Sequence, residues 1–314
     1  MALEVPALAR RAEAVGLVAA GVLALLFWAT LPGRLPAESD DAAVAQAVAQ
    51  ERQPGDVVLL HPWWTERARL FLPEGVPVVG YLGSEEANLE QAPRIWVLSQ
   101  PALPYAGTSA FWDAFRPGRA PLGEERRFGT YRLSLHRNGR SRPTLFSALE
   151  AFGSARAYIE SAPGVKKMDC VRQAKGFDCP GTPAHALAVW RDVKFEPHRC
   201  LSLSPPGGTD RLVVEYPEGA PAADRLSLEA GLVWEWAAYP DPGLKPVRAG
   251  VEDARGASLA EVTLPAGHPG LQRALRPDLA PTGPLKIWVS CPLPDTRETC
   301  VDVLAQGPAA GGGT

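Results

Sequence analysis

The run Val15 to Leu31 (VGLVAAGVLALLFWATL) holds seventeen residues without a charge, and it restricts what the rest of the chain can be. A helix that crosses the hydrocarbon core of a bilayer needs about 20 apolar residues, within a range of about 17–25. Ala14 and Pro32 extend the run slightly, so residues 15–32 are predicted to form a transmembrane helix. Arg10 and Arg11 precede it, and Glu38, Asp40 and Asp41 follow. Positive charge resists translocation, which keeps residues 1–14 in the cytoplasm and exports the remainder. A cleaved signal peptide is the competing reading. Its apolar region is typically about 7–15 residues, shorter than this run. The one nearby cleavage candidate is the poor LPA that ends at Ala37. A buried core helix is the third alternative.

Beyond the anchor, residues 38–137 alternate between helical and strand-like runs. Ala42 to Arg52 carries helix formers behind the acids Asp40 and Asp41, and Pro54-Gly55 closes it. Asp56 to Leu60 (DVVLL) is the short apolar run of a buried parallel strand. A helix is predicted over Thr65–Leu72, strands over Val76–Tyr81 and Arg94–Ser99, and a polar helical turn over Glu85–Glu90. A short helix at Ser109–Phe115 and an edge strand at Arg126–His136 complete the series. Such alternation predicts a small α/β sandwich with a mostly parallel sheet.

The order of membrane helix, acidic linker, helix, PGDVVLLHPWW, VPVVGY, RIWVLS and FGTYRLSLHR over residues 15–137 resembles a known arrangement. It is similar to the last membrane helix and extracytoplasmic C-terminal domain of the bacterial dolichyl-phosphate-mannose and aminoarabinose-type glycosyltransferase superfamily. That resemblance implies a periplasmic domain on the bacterial inner membrane, near polyprenyl-linked sugars. It implies no catalysis here, because the catalytic acids of that family lie in a membrane-bundle loop this chain lacks. Asp56, His61, Trp63 and Trp64 sit about the first strand and form the candidate ligand site, since open α/β sheets bind at strand C-termini. Alternatively, the two tryptophans cap the core and Asp56 caps a turn.

Residues 138–143 (NGRSRP) read as a linker, and Leu145–Ile159 as a helix. From Ala186 onward, eight short strand-like runs separated by Pro, Gly and Asp clusters predict an antiparallel β-sandwich over 144–306, jelly-roll-like. Residues 307–314 (GPAAGGGT) are predicted to be disordered. All five cysteines fall in this part, which in an exported chain argues for disulfides. Cys170–Cys179 and Cys291–Cys300 enclose the shortest loops and are the expected pairs, leaving Cys200 over. The alternative joins Cys200 to Cys291 or Cys300 across neighbouring strands. No C-x-x-C motif is present, so no metal site is expected.

A net charge of -3 gives no basic field for phosphates, so nucleic-acid binding is disfavoured. No G-x-S-x-G, P-loop or dinucleotide fingerprint occurs, and the five histidines lie far apart in sequence. No cofactor is expected. The chain therefore reads as a membrane-anchored, non-catalytic module. Its expected partners are the lipid bilayer, a glycan or polyprenyl-linked sugar, and a membrane glycosyltransferase, with exposed tryptophans (Trp63, Trp64, Trp234, Trp236) as glycan contacts. A structural subunit of a membrane complex and an enzyme of unrecognised type are the alternatives.

Overall fold

The computed structural model describes residues 7–31, 33–62, 65–80, 89–101, 107–194, 196–233, 245–265, 267, 270–292 and 297–310, with backbone alone for 7–13 and 196. Trp63, Trp64, Trp234 and Trp236 lie outside the described residues, as does most of the expected turn at 85–90. The chain divides into two compact units, one of residues 1–82 and 94–137, the other of residues 83–93 and 138–314.

The first unit begins with helix α1 (Ala7–Thr30). Among the described residues, no helix is long and apolar enough to cross a membrane, and the span expected at 15–32 does not meet that measure. The described side chains of α1 from Val15 to Trp28 are nevertheless exposed, Leu17 and Trp28 each by 75%. Helix α2 (Glu38–Glu51) opens on Glu38, Asp40 and Asp41, where carboxylates complement the positive end of the helix dipole. Its buried side is Val44, Ala47 and Val48.

A six-stranded sheet follows, in the order β2-β1-β3-β6-β4 with β5 beside β6. The strands are β1 (Val57–His61), β2 (Val78–Gly80), β3 (Arg94–Ser99), β4 (Arg119–Pro121), β5 (Arg126–Phe128) and β6 (Tyr131–Asn138). β1 pairs in parallel with β2 and β3, but β6 runs antiparallel to β3 and β5. The sheet is mixed, not mostly parallel, since β6 enters it antiparallel to both β3 and β5; Gly129 (φ +55°) makes the tight turn between β5 and β6. β6 is also interior, flanked by β3 on one side, and not the expected edge strand. Val58, Leu60, Trp96, Leu98, Tyr131 and Leu133 pack with α2 on one face. Strand alternation places His61 and His136 on the other face, where helix α3 (Thr108–Phe115) packs. β1 is buried at all five positions, as a strand covered on both faces should be.

The second unit is a β-sandwich. One sheet has eight strands: β7 (Thr144–Ser147), β10 (Val171–Gln173), β11 (Gly176–Asp178), β12 (His185–Val193), β13 (Glu196–Ser204), β15 (Ala223–Leu232), β18 (Gln272–Leu279) and β20 (Thr299–Gln306). The facing sheet has six, in the order β17-β16-β19-β14-β8-β9. These are β8 (Arg156–Ala162), β9 (Val165–Asp169), β14 (Arg211–Tyr216), β16 (Val247–Glu252), β17 (Ser258–Leu264) and β19 (Leu285–Ser290). Leu201, Leu203, Leu226, Leu228, Val301 and Val303 from the first meet Ile159, Leu212, Val214, Ile287 and Val289 from the second in one core.

Three expectations need correction in this unit. Residues 145–159 form β7, a 3-10 turn (Glu150–Ser154) and the start of β8 instead of one helix. β7 finds an edge on β20, and Ala157 and Ile159 are drawn into the core. The stretch 138–143 is not a free linker: Asn138 is buried and donates its side-chain amide to the carbonyls of Leu89 and Ala92. The tail begins ordered, with Gly307 N–H bonded to Pro143 and Ala310 N–H to Ser141.

The disulfides are Cys170–Cys179 and Cys200–Cys300, with Cys291 free and buried. The expected Cys291–Cys300 pair is therefore wrong, and Cys200 is not the spare thiol. β13 and β20 are adjacent antiparallel strands, so pairing in space brings Cys200 to Cys300 across a separation of 100 residues. Cys291 follows β19 of the opposite sheet and packs in the core.

Candidate functional site

The structure does not assemble Asp56 and His61 into one site. Asp56 precedes β1 and His61 ends it, so the strand separates them by roughly 16 Å at about 3.3 Å per residue. Asp56 accepts from Arg94 Nε (2.9 Å) and Nη2 (2.6 Å), Trp96 Nε1 (2.9 Å) and the Gln53 N–H (3.0 Å). Burial pushes its carboxyl up, but Arg94 and the two other donors outweigh this and hold it below the usual range. It is a structural anchor. His61 stacks on Phe111 with ring centroids 3.8 Å apart, and burial lowers its pKa to about 4. A neutral imidazole wedged between strand and helix is a packing group.

The outer face of the six-stranded sheet in the second unit is different. In β14 alternation sends Leu212 and Val214 inward and Arg211, Val213 and Glu215 outward. Register then aligns Tyr158, Val213, Trp288 and Gly250 in one row across β8, β14, β19 and β16. A flanking row holds Glu160, Arg211, Ser290 and Arg248, and the other holds Glu215, Lys286 and Glu252. Arg211 bridges two acids. Its Nε donates to Glu160 (2.7 Å), and its Nη1 and Nη2 donate to both oxygens of Glu252 (2.6 and 2.8 Å). Lys286 Nζ lies 3.8 Å from Glu160.

Trp288 lies flat on Gly250, where a Cβ would come within 2.5 Å of the indole. The guanidinium carbons of Arg211 and Arg248 stand 5.4 and 5.5 Å from its ring centroid. The indole is 5% exposed, and its Nε1–H is buried without an acceptor. Burial, with Glu215 and Glu160 nearby, holds the Tyr158 hydroxyl protonated well past its ordinary range. Tyr158, Val213, Trp288, Arg211, Glu160 and Glu252 are buried, and Arg248 is the member of this network that solvent reaches most. Sequence reading fixed on other tryptophans. The alternation Lys286-Ile287-Trp288-Val289-Ser290 was the available signal, since it puts Trp288 opposite the core side of its strand.

Gly250→Ala is expected to displace the indole, at a cost of about 1–3 kcal/mol for overpacking. Near-UV circular dichroism should lose tryptophan intensity while far-UV spectra stay unchanged. An unchanged near-UV spectrum would mean Trp288 does not rest on Gly250.

Among the described residues, no group of three or more His, Cys, Asp or Glu is placed to hold a metal ion. The outer face of the eight-stranded sheet carries a titrating pair instead. Glu229 and Asp302 are register partners on β15 and β20. Burial raises Glu229 to about 7 in spite of Arg273 Nε at 3.0 Å, and raises Asp302 to about 6. Glu90 bridges Arg225 (2.5 Å) and Arg273 above them. Folded-state values above the ordinary carboxylate range mean tighter proton binding in the folded state. Their stabilising effect is complete below about pH 4 and is lost as pH rises through 6–7. Denaturation midpoints should therefore fall between pH 5 and 8, and Asp302→Asn should flatten that slope. A midpoint that rises over this window would contradict the assignment.

No family model and no curated relative matches this sequence. Solved structures share low similarity. A family 22 xylan-binding domain of Paenibacillus barcinonensis is 16% identical, covers 52% of this chain and 98% of its own, and has a TM-score of 0.27. The C-terminal family 22 carbohydrate-binding module of a Clostridium thermocellum xylanase is 11% identical, over 45% and 99%, with a TM-score of 0.25. A two-module xylanase structure from Clostridium thermocellum matches at 11% identity and a TM-score of 0.26 over 40% of this chain, which spans only 25% of that structure. At such scores the likeness does not extend to ligand or activity.

Proposed function

We propose that this chain is a membrane-anchored extracytoplasmic module that binds a glycan, without catalysis, on the outer face of its six-stranded sheet. The observation that carries this reading is the row Tyr158–Val213–Trp288, flanked by Glu160, Arg211, Arg248, Glu252 and Lys286. The row itself is buried, so the charged groups that reach solvent beside it, Arg248 foremost, are the partners a sugar hydroxyl would meet. The anchor is α1. Its apolar side chains are bare around the helix from Val15 to Trp28, whereas a helix lying against water needs a polar face. Two disulfides fit an oxidising compartment. The resemblance of residues 15–137 supports a periplasmic setting in envelope glycosylation, with a polyprenyl-linked sugar as ligand.

The test has two arms. The detergent-solubilised chain should retain one glycan class on an array, and Trp288→Ala should lower that affinity at least tenfold with its unfolding transition kept. Equal binding by parent and variant would remove the site. The chain should also stay in the membrane fraction after alkaline wash, with a reporter after Arg137 active only when exported. Release by the wash would remove the anchor.

An assembly subunit is the second reading, favoured by Gly16 and Gly21 on α1, neither of which has anything within 4 Å of its Cβ position. The two glycines lie about 140° apart around the helix, so each would open a separate face to a second membrane helix. Co-purification of a membrane partner that depends on both glycines would support it.

A further inference from the structure

The geometry points to an oxyanion-binding site at one end of the sandwich, built on Arg297. This guanidinium is 0% exposed, and its Nε, Nη1 and Nη2 are all buried without a hydrogen-bond acceptor. No other arginine among the described residues combines full burial with three unmatched nitrogens. An arginine cannot shed its charge as a buried lysine can. A fully desolvated and unpaired cation is strongly unfavourable, so a group of opposite charge and several acceptor oxygens must meet it.

The fold says where. Along β20, Thr299, Val301, Val303 and Ala305 are fully buried, with Val301, Val303 and Ala305 in the core, while Cys300 faces outward to Cys200. Continuing that alternation backward puts Glu298 outside, where Arg191 binds it at 2.6 Å, and Arg297 inside. The backbone here is fixed: the Val233 N–H donates to the Glu298 carbonyl (3.1 Å), and Thr299 Oγ1 donates to the Arg297 carbonyl (3.1 Å). Arg297 thus stands between the sheets at the end where β14 begins, β16 begins and β19 finishes. Arg211 and Arg248 lie on that same end, but Arg211 is neutralised by Glu160 and Glu252, and Arg248 by Glu261. Of these three, Arg297 alone has a free fork, which suits two parallel bonds to a phosphate, sulfate or carboxylate. The oxyanion is either free in solution or carried on a sugar, and this site does not depend on the glycan reading of the outer face.

Thermal unfolding of the full chain in detergent tests it, with potassium phosphate titrated against chloride at matched ionic strength. Phosphate should raise the midpoint, with the logarithm of its concentration above Kd, by roughly 3–10 °C at 10–100 times its Kd. Arg297→Met should show no such rise and should be at least as stable as the parent in chloride, since the uncompensated charge is gone. Arg297→Lys should keep the response with at least tenfold weaker affinity, because a point charge loses the bidentate fork. No rise beyond that in chloride for the parent overturns the site, as does an equal rise in Arg297→Met. If Arg297→Met does not fold, an Arg297→Lys affinity equal to the parent's overturns it as well. Glucose 1-phosphate and glucuronate distinguish the sources. Tighter binding than inorganic phosphate assigns the oxyanion to a sugar, and binding of inorganic phosphate alone assigns it to the free ion. Loss of glycan binding in Trp288→Ala leaves these outcomes untouched.

Discussion

Arg211→Leu is expected to lower the unfolding free energy by about 3–5 kcal/mol, the usual cost of removing one partner from a buried ion pair. Glu160 is 1% exposed and Glu252 6%, so the leucine leaves two buried carboxylates, with the Gly164 N–H (3.2 Å) and Lys286 (3.8 Å) as the remaining partners of Glu160. For a unit of this size the thermal midpoint should drop by roughly 6–20 °C. The informative companion is the triple replacement Glu160→Met, Arg211→Leu, Glu252→Met. Removing the whole network takes away the desolvation cost along with the attraction, so the triple variant should recover most of the loss. Urea unfolding of the three proteins decides it. A single variant within 1 kcal/mol of the parent would show that water reaches the carboxylates.

The second large effect belongs to the disulfides. Chain-entropy reasoning assigns about 4.7 kcal/mol to a closed loop of 100 residues and roughly 2–3 kcal/mol to one of 9. Cys200–Cys300 and Cys170–Cys179 have those separations. Replacing both members of the long-range pair with alanine should therefore shift the guanidinium midpoint well below that of the short-range double replacement. The comparison is internal, because both variants trade two half-cystines for two alanines. Midpoints in the reverse order would mean that strain or residual structure in the unfolded chain outweighs loop closure.

Local patterns were legible. Arg211–Tyr216 was readable as a strand from its short apolar run, as were Arg94–Ser99 and most of β16, β17 and β19, because short β-branched and apolar runs bounded by turn residues suit strands buried in a core. Pairing was not legible. The choice of Cys300 as the partner of Cys200 depends on β13 lying beside β20, and no feature of either segment encodes that neighbour. For the same reason sequence proximity misled at Cys291. The ionic network was equally hidden: Glu160, Arg211 and Glu252 lie 51 and 41 residues apart and meet only because β8, β14 and β16 belong to one sheet. Leu145–Ile159 fails differently. Its composition suits a helix, but β20 offers an open edge and the core takes Ala157 and Ile159, so tertiary demand overrides propensity.

The Cys200–Cys300 bond also changes how this protein transmits force. Pulled from its two ends, the second unit carries load from β13 straight through sulfur to β20. The six strands from β14 to β19 lie outside that load path. They lie in a segment of 100 residues that would span about 330–360 Å if drawn out fully, and oxidation keeps that length in reserve. Under such a pull the oxidised unit is short and stiff, and reduction would make it extensible without cutting any peptide bond.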